Sequence, residues 1–406
     1  MTFLRNIIRN KYLQLAILLL FSLIIIFYKF GLIPRYLFFD EVEFAKLALS
    51  LREKTYSPYS SLATGHPTLY FYVILIFFKL FGVYNNVLRL PAAFFGVLNI
   101  IIFYFIMRKF YSGTLSFILA IFLISCRWYF NFARFSFEAT FLLFLELSAL
   151  LFLLQVRKKN KLLMLMLSAI STGLAFNSYY PGRIFFLLPL FYLLLSKEKI
   201  KNILLYFLIV IILILPLLLY FRNNPDLRFN QESFITSKTI SLAKKFSYLE
   251  QNIVKTSLMF SFKGDMNGRH NYTGKPALNI ILGSFFIFGL ILTIFNLNNI
   301  FNQFFLFYFF LSLFPTIFAY PAENPNMLRT FTVLPSLIFF IGNSLNFIYQ
   351  KVKIKKHYLI SIFFLLAACS AFLDLRTYFL FQSRVFLDDA FKVKGELQTI
   401  LKVKNF

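Results

Sequence analysis

Charge is scarce along this chain. Only 14% of its 406 residues are Asp, Glu, Lys or Arg, whereas a soluble domain carries roughly 25%, so a water-facing surface could not be covered. Cysteine is nearly missing. Cys126 and Cys369 lie far apart in apolar stretches, which points to neither a disulfide framework nor a zinc site. The short alternating segments of an outer-membrane barrel do not occur. Nor does a glycine-rich nucleotide loop, a zinc-ligand spacing or a nucleophile elbow.

What is present is apolar length. The chain is 59% hydrophobic, and runs of about 20 apolar residues recur, sized to a bilayer core of about 30 Å. The 60 Phe residues, with abundant Ile, Asn and Lys, fit the bias of an AT-rich genome. A net charge of +26 suggests nucleic acid at first sight, but many Lys and Arg sit in clusters between apolar segments. That distribution is how positive-inside topology is encoded. The run 12–33, preceded by Arg5, Arg9 and Lys11, is too long for a signal peptide and lacks a small-residue cleavage site. It reads as an uncleaved first span.

The basic clusters Arg5/Arg9/Lys11, Arg108/Lys109, Arg157/Lys158/Lys159/Lys161, Lys197/Lys199/Lys201 and Lys351/Lys353/Lys355/Lys356 are expected to face the cytoplasm. Counting every apolar run as a span breaks that sidedness. It is restored if residues 67–83, the shortest early run and one carrying Lys79, form an interfacial helix. The spans then read 12–33, 87–107, 114–130, 137–156, 162–178, 183–196, 202–221, 276–297, 303–320, 329–349 and 358–379. The expectation is an all-α polytopic membrane protein of about 11 helices, N-terminus cytoplasmic and C-terminal tail outside. The segments 34–66, 131–138, 179–183, 222–275 and 321–329, rich in Asp, Glu, His, Asn and Arg, then all fall on the outer side and suggest one site.

Within the first of these, polar residues at 43, 46, 50 and 53 alternate with Phe44, Leu47, Ala48 and Leu51, the pattern of an amphipathic surface helix. Asp40 stands at its N-cap position with Glu43 three residues on. It is open to two readings, a helix cap or a general base at the lipid–water boundary. His66, in Gly65-His66-Pro67, reads as a metal ligand, a phosphate contact or an ordinary interfacial histidine. Arg134 and Glu138 have the i, i+4 spacing of one helix face. They fit an ion pair, or a headgroup-binding cation beside an acceptor-supporting acid. Glu146 lies deeper in the same run, where a carboxylate is costly unless paired. Arg183, after Tyr179-Tyr180-Pro181-Gly182, stands at an outer mouth where a guanidinium can hold phosphate. Asp265, Arg269 and His270 precede one span, and Glu323 and Arg329 precede another. Each cluster fits a plain loop or a charged-headgroup site. Asn271-Tyr272-Thr273 has the form of a glycosylation sequon.

Taken together, these motifs resemble the GT-C-fold membrane glycosyltransferases related to dolichyl-phosphate-mannose protein mannosyltransferases and aminoarabinose transferase. The resemblance rests on Asp40-Glu41, Gly65-His66-Pro67, Ala133-Arg134 with Glu138, Tyr179 to Arg183, Gly264 to Asn271, and Glu323 to Arg329. It spans residues 1–350. Glu138 departs from it, since many relatives carry Asp there, and Thr68 stands where eukaryotic relatives have a second proline. It implies a catalytic module over 1–350, with outer loops 34–86 and 222–275, followed by a last helix and short tail over 351–406. It implies a plasma (inner) membrane enzyme that moves a hexose or pentose from a polyprenyl-phosphate donor to an extracytoplasmic protein, lipid or glycan, with inversion. Asp40 would be the base, with Glu41 and Glu138 positioning the acceptor or tuning it. Arg183, Arg329 and Arg134 would neutralise the leaving phosphate, with His66, Tyr180, Asp265, Arg269, His270 and Glu323 lining the donor site. It names no cofactor and leaves a divalent metal open. A lipid-linked glycan flippase, or a glycan polymerase or ligase, stands as the alternative.

Overall fold

The computed structural model describes residues 10–53, 55–155, 160–388 and 392–403. Helices dominate, because an apolar chain in lipid must satisfy its backbone polar groups within each segment. In chain order they are α1 Lys11–Phe27, α2 Phe39–Ser50, α3 Leu69–Phe81, α4 Asn85–Met107, α5 Gly113–Ser125, α6 Arg127–Phe132, α7 Ala139–Leu153 and α8 Lys161–Phe176. Then come α9 Leu187–Leu195, α10 Ile200–Asn223, α11 Leu227–Glu232, α12 Leu242–Met259, α13 Ile280–Ile294, α14 Ile300–Ile317, α15 Leu334–Lys351 and α16 Lys356–Arg376. Strands β1 Tyr59–Ser60 and β2 His66–Pro67 pair antiparallel, with Ser60 opposite His66.

Among the described residues five helical stretches are long and apolar enough to cross a membrane: Asn85–Met107, Ile200–Asn223, Ile300–Ile317, Phe331–Lys351 and Lys356–Val385. Seven shorter apolar helices accompany them, so this is a multi-pass membrane protein. Polar caps set several helix starts: Asn10 accepts from the Tyr12 and Leu13 amides, and Asn279 from those of Ile281 and Leu282. Small residues let the rods approach. A Cβ on Gly289 of α13 would fall 1.8 Å from the Phe340 carbonyl oxygen of α15, and one on Gly96 would fall 2.7 Å from Ala133 Cβ.

Side-chain bonds identify the two ends of the bundle. At one end Asn343 donates to Thr293 and Asn302 and accepts from Tyr111, while Lys161 pairs with Glu198 at 2.6 Å. That end carries the basic residues at 108–109, 161, 197–201 and 351–356. Arg5, Arg9, Arg157, Lys158 and Lys159 lie outside the described residues. At the other end Arg89, one turn into α4, bonds Glu41 and the carbonyls of Pro34 and Tyr36. Asn85 there bonds Gly395 and Leu397 of the C-terminal tail, and Val393 bridges to Leu37. Helix α3 starts beside His66 and ends only four residues before Asn85, so both of its termini belong to this second end. Its 13 residues rise only about 20 Å.

Three local expectations are corrected. The run expected as a span over 114–130 is broken at Cys126 into α5 and α6. Residues 133–138 are turns, and helix α7 starts at Ala139, so Arg134 and Glu138 do not share a helix face. The N-cap of α2 is Phe38 and not Asp40, and since a phenyl ring cannot accept, only half of a capping box forms: Glu41 Oε2 accepts from the Phe38 amide at 3.1 Å. Asp40 is thereby left out of the cap.

Candidate active site

A cavity of about 550 Å³ opens at the non-basic end of the bundle. Its walls come from all five of the separate polar stretches noted in the sequence: Asp40 and His66, then Glu138, Tyr179, Arg228, Glu232, Asp265, Arg269, His270, Glu323 and Arg329. Most of these ionisable groups are shielded from water, and all but Tyr179, whose hydroxyl is buried without a hydrogen-bond partner among the described residues, are held by an ion pair.

Asp40 lies in the first turn of α2, where a carboxylate is favoured by the helix dipole. Its Oδ2 meets the Arg269 guanidinium, and its side chain remains 39% exposed, so a substrate can reach it. Arg269 is oriented by Asn267, whose Oδ1 accepts from both its backbone amide and its Nε. Asp265 is the hub of the same loop. It accepts from the Asn267 amide, from the Met327 amide at 2.8 Å, and lies 2.9 Å from His270 Nδ1. The Met327 bond fastens the 265–270 loop to the 321–329 loop.

On the opposite wall His66 Nδ1 is 2.6 Å from Glu138 Oε1, with both residues buried. The ring is set by edge contacts with Phe44 and Phe71. His66 Nε2 is buried and has no hydrogen-bond partner among the described residues, although a buried polar atom ordinarily has one.

Glu232 completes the floor. It pairs with Arg228 at i, i+4 along α11 and with Arg329 Nε at 2.8 Å, while Arg329 Nη2 reaches Glu323 at 2.5 Å. Burial disfavours charge on both guanidiniums. At Arg329 the neighbouring Tyr180, Glu232 and Glu323 more than offset it, and at Arg228 Glu232 and Tyr179 do, so both are held above the ordinary arginine value. They remain cations at every accessible pH.

Glu232 also lines a neighbouring, mostly apolar cavity of about 400 Å³, with Tyr180, Arg183, Phe229, Ile235, Phe314 and Phe318. Here the placement of Arg183 and Tyr180 departs from the expectation of one common site. Arg183 pairs with Asp226 and stacks on Phe221 at 5.0 Å, in the side cavity. Its Nε and Nη2 are buried without partners among the described residues.

Two other expected site residues are corrected. Glu41 is fully buried in a fork-to-fork pair with Arg89, Nε–Oε1 2.7 Å and Nη2–Oε2 2.6 Å, and also accepts from the Phe38 and Ser136 amides. Its lone pairs are spent on holding the first outer segment, so it neither lines the cavity nor faces a substrate. Arg134 is equally buried. It donates to the carbonyls of Ile25, Ile26, Lys29 and Ile33 and packs against Tyr378 and Phe379. It clamps the unravelling end of α1 and is closed to a phosphate. Asn271, of the formal sequon, is buried too, with its side chain bonded to Arg127, Asp265 and Lys275, so it offers no amide to a glycan.

Three residues were passed over in sequence. Arg89 carried a signal, a cation one turn inside an apolar run. Arg228 and Glu232 carried only an i, i+4 spacing in a segment with no apolar rhythm to mark a helix. Among the described residues no group of three or more His, Cys, Asp or Glu could hold a metal ion.

Residues 65–220 match the family model of dolichyl-phosphate-mannose-protein mannosyltransferase. No curated protein matches the sequence. Among solved structures, ArnT from Cupriavidus metallidurans bound to undecaprenyl phosphate superposes with a TM-score of 0.59 at 13% identity, over 92% of this chain and 75% of that one. The oligosaccharyltransferase of Archaeoglobus fulgidus in its apo form gives a TM-score of 0.59 at 14% identity, over 92% of this chain and 56% of that one. The chain is a multi-pass membrane protein of the GT-C glycosyltransferase fold, similar over residues 65–220 to the dolichyl-phosphate-mannose-protein mannosyltransferase family.

Proposed function

We propose that the protein transfers a sugar from a polyprenyl-phosphate donor to an acceptor hydroxyl outside the cytoplasm, with inversion, and that Asp40 is the general base. The observation that carries this is the cavity itself: a reachable carboxylate on one wall, and the cations Arg269, Arg228 and Arg329 around it. Asp40 spends Oδ2 on Arg269, which leaves Oδ1 for the acceptor hydroxyl. Asp40 takes the hydroxyl proton as the acceptor oxygen attacks the anomeric carbon from the face opposite the phosphate. The sugar–phosphate bond breaks, and its electron pair leaves on the polyprenyl phosphate.

The charge that develops on the leaving phosphate needs preorganised cations. Arg228 and Arg329 supply them, at the wall shared with the apolar side cavity. That cavity, edged by Phe229, Ile235, Phe314 and Phe318, suits the first isoprene units of the donor, and Arg183 stands there for the phosphate on its way in. His66, fixed by Glu138, offers its unpartnered Nε2 to a sugar or acceptor hydroxyl. Asp265 and His270 keep Arg269 in register with Asp40. ArnT binds undecaprenyl phosphate in one solved structure, and the A. fulgidus enzyme binds a dolichol-phosphate in another. A polyprenyl carrier here is in keeping with both.

The test is release of polyprenyl phosphate from a polyprenyl-phosphate sugar by the purified protein. A flippase would release none. Asp40→Asn should lower turnover by about 10²–10⁴-fold, the usual share of a positioned base, while expression and thermal stability stay at wild-type level. Near-normal turnover in that variant would overturn the assignment of Asp40.

A further inference from the structure

A third cavity, of about 440 Å³, lies between the start of α13 and the end of α16 and shares no lining residue with the other two. Two cations line it, Lys275 and the exposed Arg376. Among the charges acting on Lys275 are Arg127, Arg376 and only one carboxylate, Asp374. That carboxylate is already engaged by the Arg127 amide and Asn279. Burial, with Arg127 and Arg376 nearby, holds the Lys275 ammonium below its ordinary value, the behaviour of a cation that lacks a counter-ion. Among the described residues neither Lys275 nor Arg376 makes an ion pair, and Arg376 lies over the Phe381 ring at 5.4 Å.

Two further observations point to a ligand. Ser261 Oγ lines the same cavity, is buried and has no hydrogen-bond partner among the described residues. Gly283 keeps the space in front of it open, since a Cβ there would sit 3.1 Å from that oxygen. The mouth is flanked by Phe262, Ile280 and Ile287, all exposed apolar side chains on or beside an apolar helix. A soluble anion would gain nothing from such flanks. A lipid gains from both parts, because surface cations attract its phosphate and the apolar face receives its chain.

We propose that this cavity binds the phosphate headgroup of an anionic membrane lipid, with the phosphate between Lys275 and Arg376, hydrogen-bonded to Ser261, and an acyl chain along Ile280 and Ile287. The site is separate from the proposed catalytic cavity and stands whether or not the protein is a transferase.

The full-length protein in nanodiscs of equal phosphatidylglycerol and phosphatidylcholine, released into the gas phase, tests this by the lipids it retains. Phosphatidylglycerol should be retained over phosphatidylcholine. K275Q/R376Q should lose about tenfold of that preference, as expected for two interfacial cations, and K275R/R376K should keep it. Should the double variant fold poorly, the single variant R376E serves, because Arg376 is exposed. Unfolding in pure phosphatidylcholine nanodiscs confirms that each variant is folded. Equal retention of the two lipids, or unchanged preference in folded K275Q/R376Q or R376E, would overturn the proposal. So would inorganic phosphate binding the detergent-solubilised protein as tightly as phosphatidylglycerol, since the apolar flanks would then contribute nothing.

Discussion

Asp40 and Glu41 are adjacent in sequence and divide between two tasks. Asp40 stays at the rim of the cavity, paired with Arg269 and still accessible. Glu41, on the next helical position, is buried and saturated by Arg89 and two amides. Their variants should therefore fail differently. Glu41→Ala strands the Arg89 guanidinium in a dry interior, a loss of about 3–5 kcal/mol for a broken buried pair. It should show as a lowered unfolding midpoint and a low folded yield, whereas Asp40→Asn should leave both unchanged. Arg329→Ala is expected to remove about 10²–10³ of the turnover number, the scale of one electrostatic donor, read in single-turnover release of polyprenyl phosphate. Asp40 was legible in the sequence because a carboxylate next to an apolar span is conspicuous. Its separation from Glu41 was not, since the partner that decides it lies 48 residues away. Arg134 misled for the same reason: an arginine at an outer loop suits a phosphate, and only the fold reveals four carbonyls around it.

At the scale of elements, the apolar rods were readable and their ends were not. Periodicity and run length place α4, α10 and α14 within a few residues. The six-residue α11 and the 18-residue α12 lie in 222–275, which reads as a polar loop because neither contains a continuous apolar run. Yet α11 brings Arg228 and Glu232 to the cavity floor, so the part of the site least visible in sequence is the part built on that helix. Close approach of rods is a further element-scale property that sequence hides. Gly289 sits against the Phe340 carbonyl with no room for a methyl group. Overpacking costs about 1–3 kcal/mol in ordinary cores, and here the obstacle is backbone. Gly289→Ala should force α13 and α15 apart and lower the unfolding midpoint in detergent. The same substitution at Gly113, where the nearest heavy atom is 3.7 Å away, should leave that midpoint unchanged.

For the whole molecule, sidedness decides whether the cavity is a site or only a polar rim. The basic residues at 108–109, 161, 197–201 and 351–356 and the cavity residues occupy opposite ends of the bundle, and α3 has both of its ends with the cavity. On the proposed function, positive-inside bias is expected to put the cavity outside the cytoplasm and α3 in the outer interface. The step that carries this assignment is α3. Were it a full span, Asn85 would emerge on the cytoplasmic side, and α4 would have to begin there. That is incompatible with Arg89 bonding Glu41, Pro34 and Tyr36, which follow the first span directly. Periplasmic-type and cytoplasmic-type reporters fused after Val83 and after Arg108 should therefore give opposite signals, outside at the first junction and inside at the second. Cysteine substitution at Asn86, in a background where Cys126 and Cys369 are Ser, should label with a membrane-impermeant maleimide in intact cells. A cytoplasmic signal at the Val83 junction would return α3 to the spans. It would also put Asp40 and Arg269, which pair directly, on opposite faces of the bilayer, so the sidedness and the proposed chemistry fall together.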